Sequence, residues 1–581
     1  MSRRPLFLSR SARPALIALA VALPAAAQAV QSADTLSAQW AAYQAVKPKS
    51  VLDLQPFRET TTAKLSSGAG LSFVSVNPNV NAWFLATIEA SGADPVSYHI
   101  ENPHARTQTV ALVPGAQPKL ALGGPQGDML CDPWTTDLPK ARATRQPYAP
   151  ICGGRLYLRN PAVGHASTLE SVTDFLRNNI WGGDAVVNFV KDTLYKDAFQ
   201  EKANETADAG VTPENVGPGA ALVEKVNGDY PAITGRTGLT LTGVKDGRMA
   251  LGLWYPVTGL SGVYASAMEP RALAKSVLES GGHANALDNV ERTSVDYLAA
   301  FDLSKFNVGY AVGTAHPDVG WSPRPPASMQ NPSLPGPDGI GTVKPLVRTG
   351  MIDPALASKA IATFTGGFKR EHGAFKHGPF SERNAGSHYG FVEQGAILSK
   401  LQPGLATLYV LADGTIGMKT WEASDDAMLP QVRFARQNGV PLVVTDPKTG
   451  KPVPGDYVSN WAFGNWSGSA EAHLRTLRAG ACMKTAGDKR FLIYGYFSTV
   501  TPSGMARVFQ SYGCNYAMIL DMNAIVHTYM GLYVRQGNNV QVEHMVPAMA
   551  KLDKEGPNGA VQPRFLSFPD NRDFFYLTQK D

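Results

Sequence analysis

The residues best suited to chemistry lie in the second half of the chain. Asp521 ends a short apolar run, Tyr516 to Leu520, and is followed by Asn523, His527 and Thr528. A carboxylate at the edge of a buried strand can act as general base or nucleophile, and an imidazole beside it can carry a proton. The plainer alternative is that Asp521 only caps the following turn. A second group is Thr365-Gly366-Gly367-Phe368-Lys369-Arg370-Glu371-His372, with His377 and His388 close behind. Paired glycines let backbone approach a ligand and expose N–H groups, and Lys369, Arg370 and His372 can meet an anion. The same residues would also suit a glycine-rich hairpin with solvated charges. A third candidate is Arg478, which opens the stretch around Cys482. An arginine there either clamps a phosphate or carboxylate bidentately or pairs with a structural acid. The histidines raise the question of a divalent metal, but no HExxH-type spacing accompanies them, so no cofactor is expected.

Thr501-Pro502-Ser503 supplies a helix start, and Met505, Val508, Phe509 and Tyr512 follow at helical spacing. Gly513 stops that helix, and the apolar run to Leu520 reads as the buried strand that delivers Asp521. Ile361 to Phe364 is strand-like and leads into the glycine pair. Leu408 to Leu411 and Ile416 to Trp421 form a hairpin about Asp413-Gly414. Phe491 to Tyr496 and Phe306 to Val312 are further strands, while Val290 to Ala300 looks helical. Thr237 to Val244 and Arg248 to Val257 read as short strands, and Pro323 to Pro337 as a Pro-rich surface loop.

The N-terminus carries Arg3, Arg4, Arg10 and Arg13, then an apolar run to Ala27 and Ala27-Gln28-Ala29. That order is the one a secretory signal peptide has, with cleavage after Ala29, and the apolar run is short of the roughly 20 residues a membrane span needs. An exported protein, periplasmic or extracellular, with no membrane span after cleavage is the expectation. Losing four arginines takes the formal charge from +5 to +1. A nearly neutral chain without a basic run is a poor nucleic-acid partner. Export also suits the four cysteines as two disulfides, and pairing Cys131 with Cys152 and Cys482 with Cys514 keeps each bridge local. No G-x-S-x-G elbow, P-loop or strand-to-helix GxGxxG occurs, which argues against serine hydrolases and nucleotide enzymes.

Gly (56) and Pro (42) are abundant and helical patterns few, so an α+β fold with long loops is expected. Residues 30–165 read as a β-rich N-terminal domain, with alternation at Leu71 to Val76 and Thr107 to Val113. Residues 166–234 read as a helical connector and linker, with apolar faces from Leu169 to Ile180 and Val186 to Leu194. Residues 235–581 form the remaining domain.

In order, the second half presents Phe364-Thr365-Gly366-Gly367-Phe368-Lys369, an Asp-Gly hairpin, Arg478-Ala479-Gly480, Thr501-Pro502 with Met505-Ala506, Gly513-Cys514 and Leu520-Asp521-Met522-Asn523. This succession resembles the phosphodiester glycosidase domain family over roughly residues 299–533. The family has Asn-Gly-Gly-Phe where this chain has Thr365-Gly366-Gly367-Phe368, and its better-known members follow the aspartate with a glycine-rich loop where Met522-Asn523-Ala524 stands here. The resemblance implies a mixed-sheet domain with flanking helices, an active site lined by Asp521 and Arg478, and hydrolysis of a sugar–phosphodiester bond. Thr365, Gly366, Gly367, Lys369, His372 and Asn523 would then hold substrate, with His527 or His372 as auxiliary proton carrier. The partner would be a carbohydrate phosphodiester or cell-wall polymer. The alternative is a non-catalytic envelope protein that binds glycan or anionic polymer in the same cleft.

Overall fold

The computed structural model describes residues 50–166, 197–202, 204–206, 216–244, 246–316, 342–369, 389–459, 472–537 and 539–580, with isolated positions near the N-terminus. The expected signal peptide, the two connector helices, the Pro-rich loop, and Arg370, His372, His377 and His388 lie outside the described residues.

Strands dominate and helices are few, so the described chain is β-rich. Every pair of named strands runs antiparallel, where a mixed sheet was expected. The physical reason is connectivity: most neighbouring strands join by hairpins or long irregular returns, and where the helix Pro502–Ser511 carries the chain from Lys489–Val500 to the parallel strand Tyr516–Met522, Thr476–Ala486 is inserted between them and pairs antiparallel with both.

The N-terminal part builds a six-stranded sheet and a three-stranded sheet over its own core of Leu71, Phe73, Phe84, Ile100, Leu120 and Leu158. Cys131 bonds Cys152 inside that core, as its sequence position suggests. The strand Trp83–Glu89 faces two ways. Phe84 enters the local core, whereas Trp83 joins the large core of the second half. Arg159 completes the seam: it pairs with Glu101 of the N-terminal sheet and lies 3.4 Å from Glu393 of the second half, while its guanidinium covers the Trp83 ring at 4.5 Å.

The second half is organised by three sheets. An eight-stranded sheet contains Asp296–Asp302, Lys489–Val500, Thr476–Ala486 and Tyr516–Met522 as neighbours. A five-stranded sheet places Phe306–Ala311, the C-terminal strand Phe574–Gln579, Ala360–Thr365 and Met530–Gln536 side by side. A second five-stranded sheet includes Val432–Gln437 and the Asp413-Gly414 hairpin. The stretch Val290 to Ala300 is corrected from helix: a 3-10 turn at Glu291–Thr293 leads into a strand whose seven residues are all buried. A strand covered on both faces has no alternation to betray it. Thr237 to Val244 is also corrected, holding only isolated bridges from Gly238 to His544 and Leu241 to Val257.

The helix Pro502–Ser511 forms as the sequence predicts. Thr501 caps it by accepting from the Gly504 N–H, and Gly513 leaves it at φ +71°. All ten of its residues are buried, and Cys514 beyond it bonds Cys482 on the neighbouring strand. Among the described residues no helix is long and apolar enough to cross a membrane.

Candidate functional site

Three backbone segments converge because strands far apart in sequence pair. Thr365 lies opposite Phe574, and Phe364 opposite Met530. The Gly366-Gly367-Phe368 segment therefore emerges beside Asp573 and beside the turn holding His527. From the other sheet, the Tyr516–Met522 strand brings Asp521, and Asn438 stitches the two together. Its Nδ2 donates to the carbonyls of Ile519 (2.9 Å) and Leu520, while its Oδ1 accepts from the Phe368 N–H at 3.3 Å.

At the centre stands Asp521, 4% exposed. One carboxylate oxygen accepts from its neighbour's N–H, Met522, at 2.8 Å, and the other pairs with Arg572. Arg572 Nη2 donates to His527 Nε2 at 2.9 Å, so the other ring nitrogen, Nδ1, carries the proton and donates to the Met522 carbonyl at 2.7 Å. Thr365 Oγ1 donates to the His527 carbonyl at 2.6 Å and fixes that turn. Burial raises the Asp521 carboxyl to about 6, against the pull of Arg572 and the Met522 N–H; nearby Asp573 adds to the rise.

A second buried acid, Asp573, backs this group. Arg436 Nε and the Tyr310 hydroxyl both donate to its Oδ2 at 2.7 Å. Burial opposes its charge, but Arg436 and His316 outweigh it and hold the carboxyl below the ordinary aspartate value. Arg436 also donates to the Phe368 carbonyl at 2.6 Å. His316 is wholly buried with its Nδ1 3.5 Å from Asp573. Neither of its ring nitrogens has a hydrogen-bond partner among the described residues. Burial lowers it to about 3; Asp573 opposes this, and Arg436, Lys369 and Arg572 reinforce it, which places Lys369 in the same cluster. The cluster thus holds two carboxylates and three cations, with two imidazoles.

The glycine pair has a specific job here. A Cβ on Gly366 would lie 2.6 Å from Asp573 Oδ2, and one on Gly367, at φ +153°, 2.9 Å from Arg436 Nη2. Glycine is what lets backbone lie against the buried ion pair. The Gly366 N–H itself donates to the Asp573 carbonyl at 2.9 Å, so it is committed within the fold. Arg478 braces the sheet: it donates to the Val500 and Leu474 carbonyls, both at 2.9 Å, and lies against Met522 Sδ. Burial brings it down to about 9. Asn523, at φ +80°, gives its N–H to the Leu477 carbonyl and accepts from Thr476. Thus Asp521, His527, Thr365, Gly366, Gly367 and Lys369 come together, while Arg478 and Asn523 hold the strand that bears Asp521.

The sequence reading missed Tyr310, His316, Arg436, Asn438, Arg572 and Asp573. One local signal existed: Asp570-Asn571-Arg572-Asp573 packs four polar residues directly before the aromatic strand Phe574-Phe575-Tyr576. The only three-residue group of metal-ligating type among the described residues is Cys131, Asp137 and Cys152, whose cysteines form a disulfide.

No protein-family model and no curated protein matches the chain. Among solved structures, it is similar to the catalytic domain of zebrafish N-acetylglucosamine-1-phosphodiester alpha-N-acetylglucosaminidase, auto-inhibited by its pro-peptide. The TM-score is 0.29 and identity 10%, over 56% of this chain and 85% of that one. A hypothetical protein from Synechocystis aligns with TM-score 0.23 and 10% identity, over 90% of this chain and 80% of the other. Both similarities are distant.

Proposed function

We propose that this chain is an exported hydrolase that cleaves a sugar from a glycosyl-1-phosphodiester in envelope or extracellular glycan metabolism. The observation that carries the reading is Asp521, a buried carboxylate lifted to about 6, paired with Arg572 and within the field of Arg436. Above that pH it is an anion able to take a proton from water attacking the anomeric carbon, or to attack that carbon itself. The bond from the anomeric carbon to the phosphate oxygen breaks, and the electron pair leaves with the phosphate. That leaving group is weakly basic, so one carboxylate suffices where ordinary glycosidases need two. The surrounding cations favour the departing anion. His527, neutral and protonated at Nδ1, keeps Arg572 aimed at Asp521. The motif order from Phe364 to Asn523 supports the same chemistry, and the two disulfides support export.

Asp521 is also deeply buried, with each oxygen engaged inside the protein, and this favours a second reading in which the chain binds anionic glycan without turnover. Incubating the protein with a panel of glycosyl-1-phosphodiesters and measuring free sugar separates the two. Release by the parent and its loss in Asp521→Asn supports the hydrolase. A folded protein that binds the panel and releases nothing supports the binder.

A further inference from the structure

A second recess lies away from Asp521. A cavity of about 580 Å³ opens between the N-terminal turn Pro103–Thr107 and the second half, and a neighbouring one of about 360 Å³ shares Lys359, Gln579 and Lys580 with it. Both volumes fall within the range of ligand sites, and together they form one trough. Its cations are Arg106, Lys359, Arg433, Arg535 and Lys580, and the acid on its lining is Asp413. The hydrogen bonds of four of these cations go to neutral acceptors. Arg106 donates to the Asp413 carbonyl, Arg433 to the Gln394 side-chain oxygen, Arg535 to the Ala357 carbonyl, and Lys580 to the Leu303 carbonyl. The acceptors are neutral, and although the Asp413 carboxylate acts on Arg106 and the acids Glu101 and Asp353 act on Arg433, five cations against one lining acid give the trough a net positive charge.

The rest of the lining narrows the class of ligand. Asn307, Thr107, Thr578 and Gln579 offer hydroxyl and amide groups of the kind that meet sugar hydroxyls. The Phe and Tyr members, Phe434, Tyr533 and Tyr576, are 3%, 0% and 6% exposed, which leaves no open face of these rings on which nucleobases would stack. We infer that the trough is a second binding site, for a polysaccharide bearing phosphate or carboxylate groups along its chain. Its lining runs along the C-terminal strand from Tyr576 to Gln579, three to six residues from Asp573, or about 10 to 20 Å at about 3.3 Å per residue, and none of the Asp521-cluster side chains belongs to it. It is separate from the Asp521 cluster and does not depend on turnover there.

The test is titration calorimetry of the whole chain with phosphomannan, polygalacturonate, neutral dextran and single-stranded DNA of matched charge. It is repeated with the triple variant Arg106→Gln, Lys359→Gln, Arg535→Gln, whose three side chains line the trough outside the Asp521 cluster. At least one anionic polysaccharide should bind ahead of dextran and DNA, and the variant should bind it about tenfold or more weakly, with an unchanged melting temperature. Raising the salt should weaken binding to the parent protein and leave the variant's residual binding nearly level. Phosphomannan ahead of polygalacturonate would assign the trough to phosphate, and the reverse order to carboxylate. Equal binding by parent and variant, no binding of either polyanion, or tighter binding of DNA would overturn the inference.

Discussion

Replacing Arg572 by Gln tests how the cluster sets the charge of Asp521. Arg572 is the largest influence holding that carboxyl down against burial. A unit charge about 4 Å away is worth about 4 kcal/mol at an effective dielectric near 20. Part of this returns, because the Gln amide can still donate a hydrogen bond and water can enter the space left. A net loss of about 1.5–3 kcal/mol remains, at about 1.4 kcal/mol per pH unit. The titration of Asp521 should therefore move upward by about one to two pH units from its starting point near 6. A carboxyl raised on folding contributes most below its unfolded value of 3.8 and loses that contribution as pH rises through its folded value. The variant should accordingly lose more stability than the parent between acid and neutral pH. Infrared difference titration of the carboxylate band, with Asp521→Asn subtracted as the blank, reads the midpoint without relying on activity. A midpoint that stays in place or moves down would refute the electrostatic account of the cluster.

Two further outcomes follow from the geometry. Gly366→Ala should destabilise the fold by about 2–3 kcal/mol, read from urea denaturation midpoints. The new methyl would press on Asp573, which Arg436 and Tyr310 prevent from retreating. Glu393→Gln should flatten the pH dependence of stability. Burial raises Glu393 from 4.5 to about 7 despite Arg159, so its contribution is complete below about 4.5 and lost as pH rises through about 7. Urea titrations of parent and variant at pH 5 and 8 should differ in their change by about 3 kcal/mol, and parallel curves would count against it.

What could be read from the sequence was local. Thr501, Pro502 and Gly513 specify a helix by capping and turn rules, and the strand to Asp521 follows within a few residues. Both disulfides join cysteines 21 and 32 residues apart, so proximity along the chain was a sound guide. The rest of the site depends on pairings across long separations. Arg436 reaches Asp573 over 137 positions and Tyr310 reaches it over 263, and nothing near either residue announces the partner. The glycine pair drew attention for the right reason, close backbone approach, but what it approaches is a buried ion pair from the same chain. Asp296–Asp302 was misread because full burial removes the period-two pattern by which strands are found.

The seam at Arg159 ties the N-terminal sheets to the rest of the protein through buried charge. Its partner Glu393 also accepts the Val312 N–H, two residues past Tyr310, whose hydroxyl donates to Asp573. Exchanging the N-terminal part, residues 50–166, for an unrelated β-rich unit would leave Glu393 a buried acid without its arginine, hydrogen-bonded to Val312 close along the chain to Tyr310 and its partner Asp573. The exposed edge strand Glu59–Lys64 lies outside this constraint, whereas grafting a foreign unit in place of the whole N-terminal part would require Arg159 and Glu393 to be replaced together.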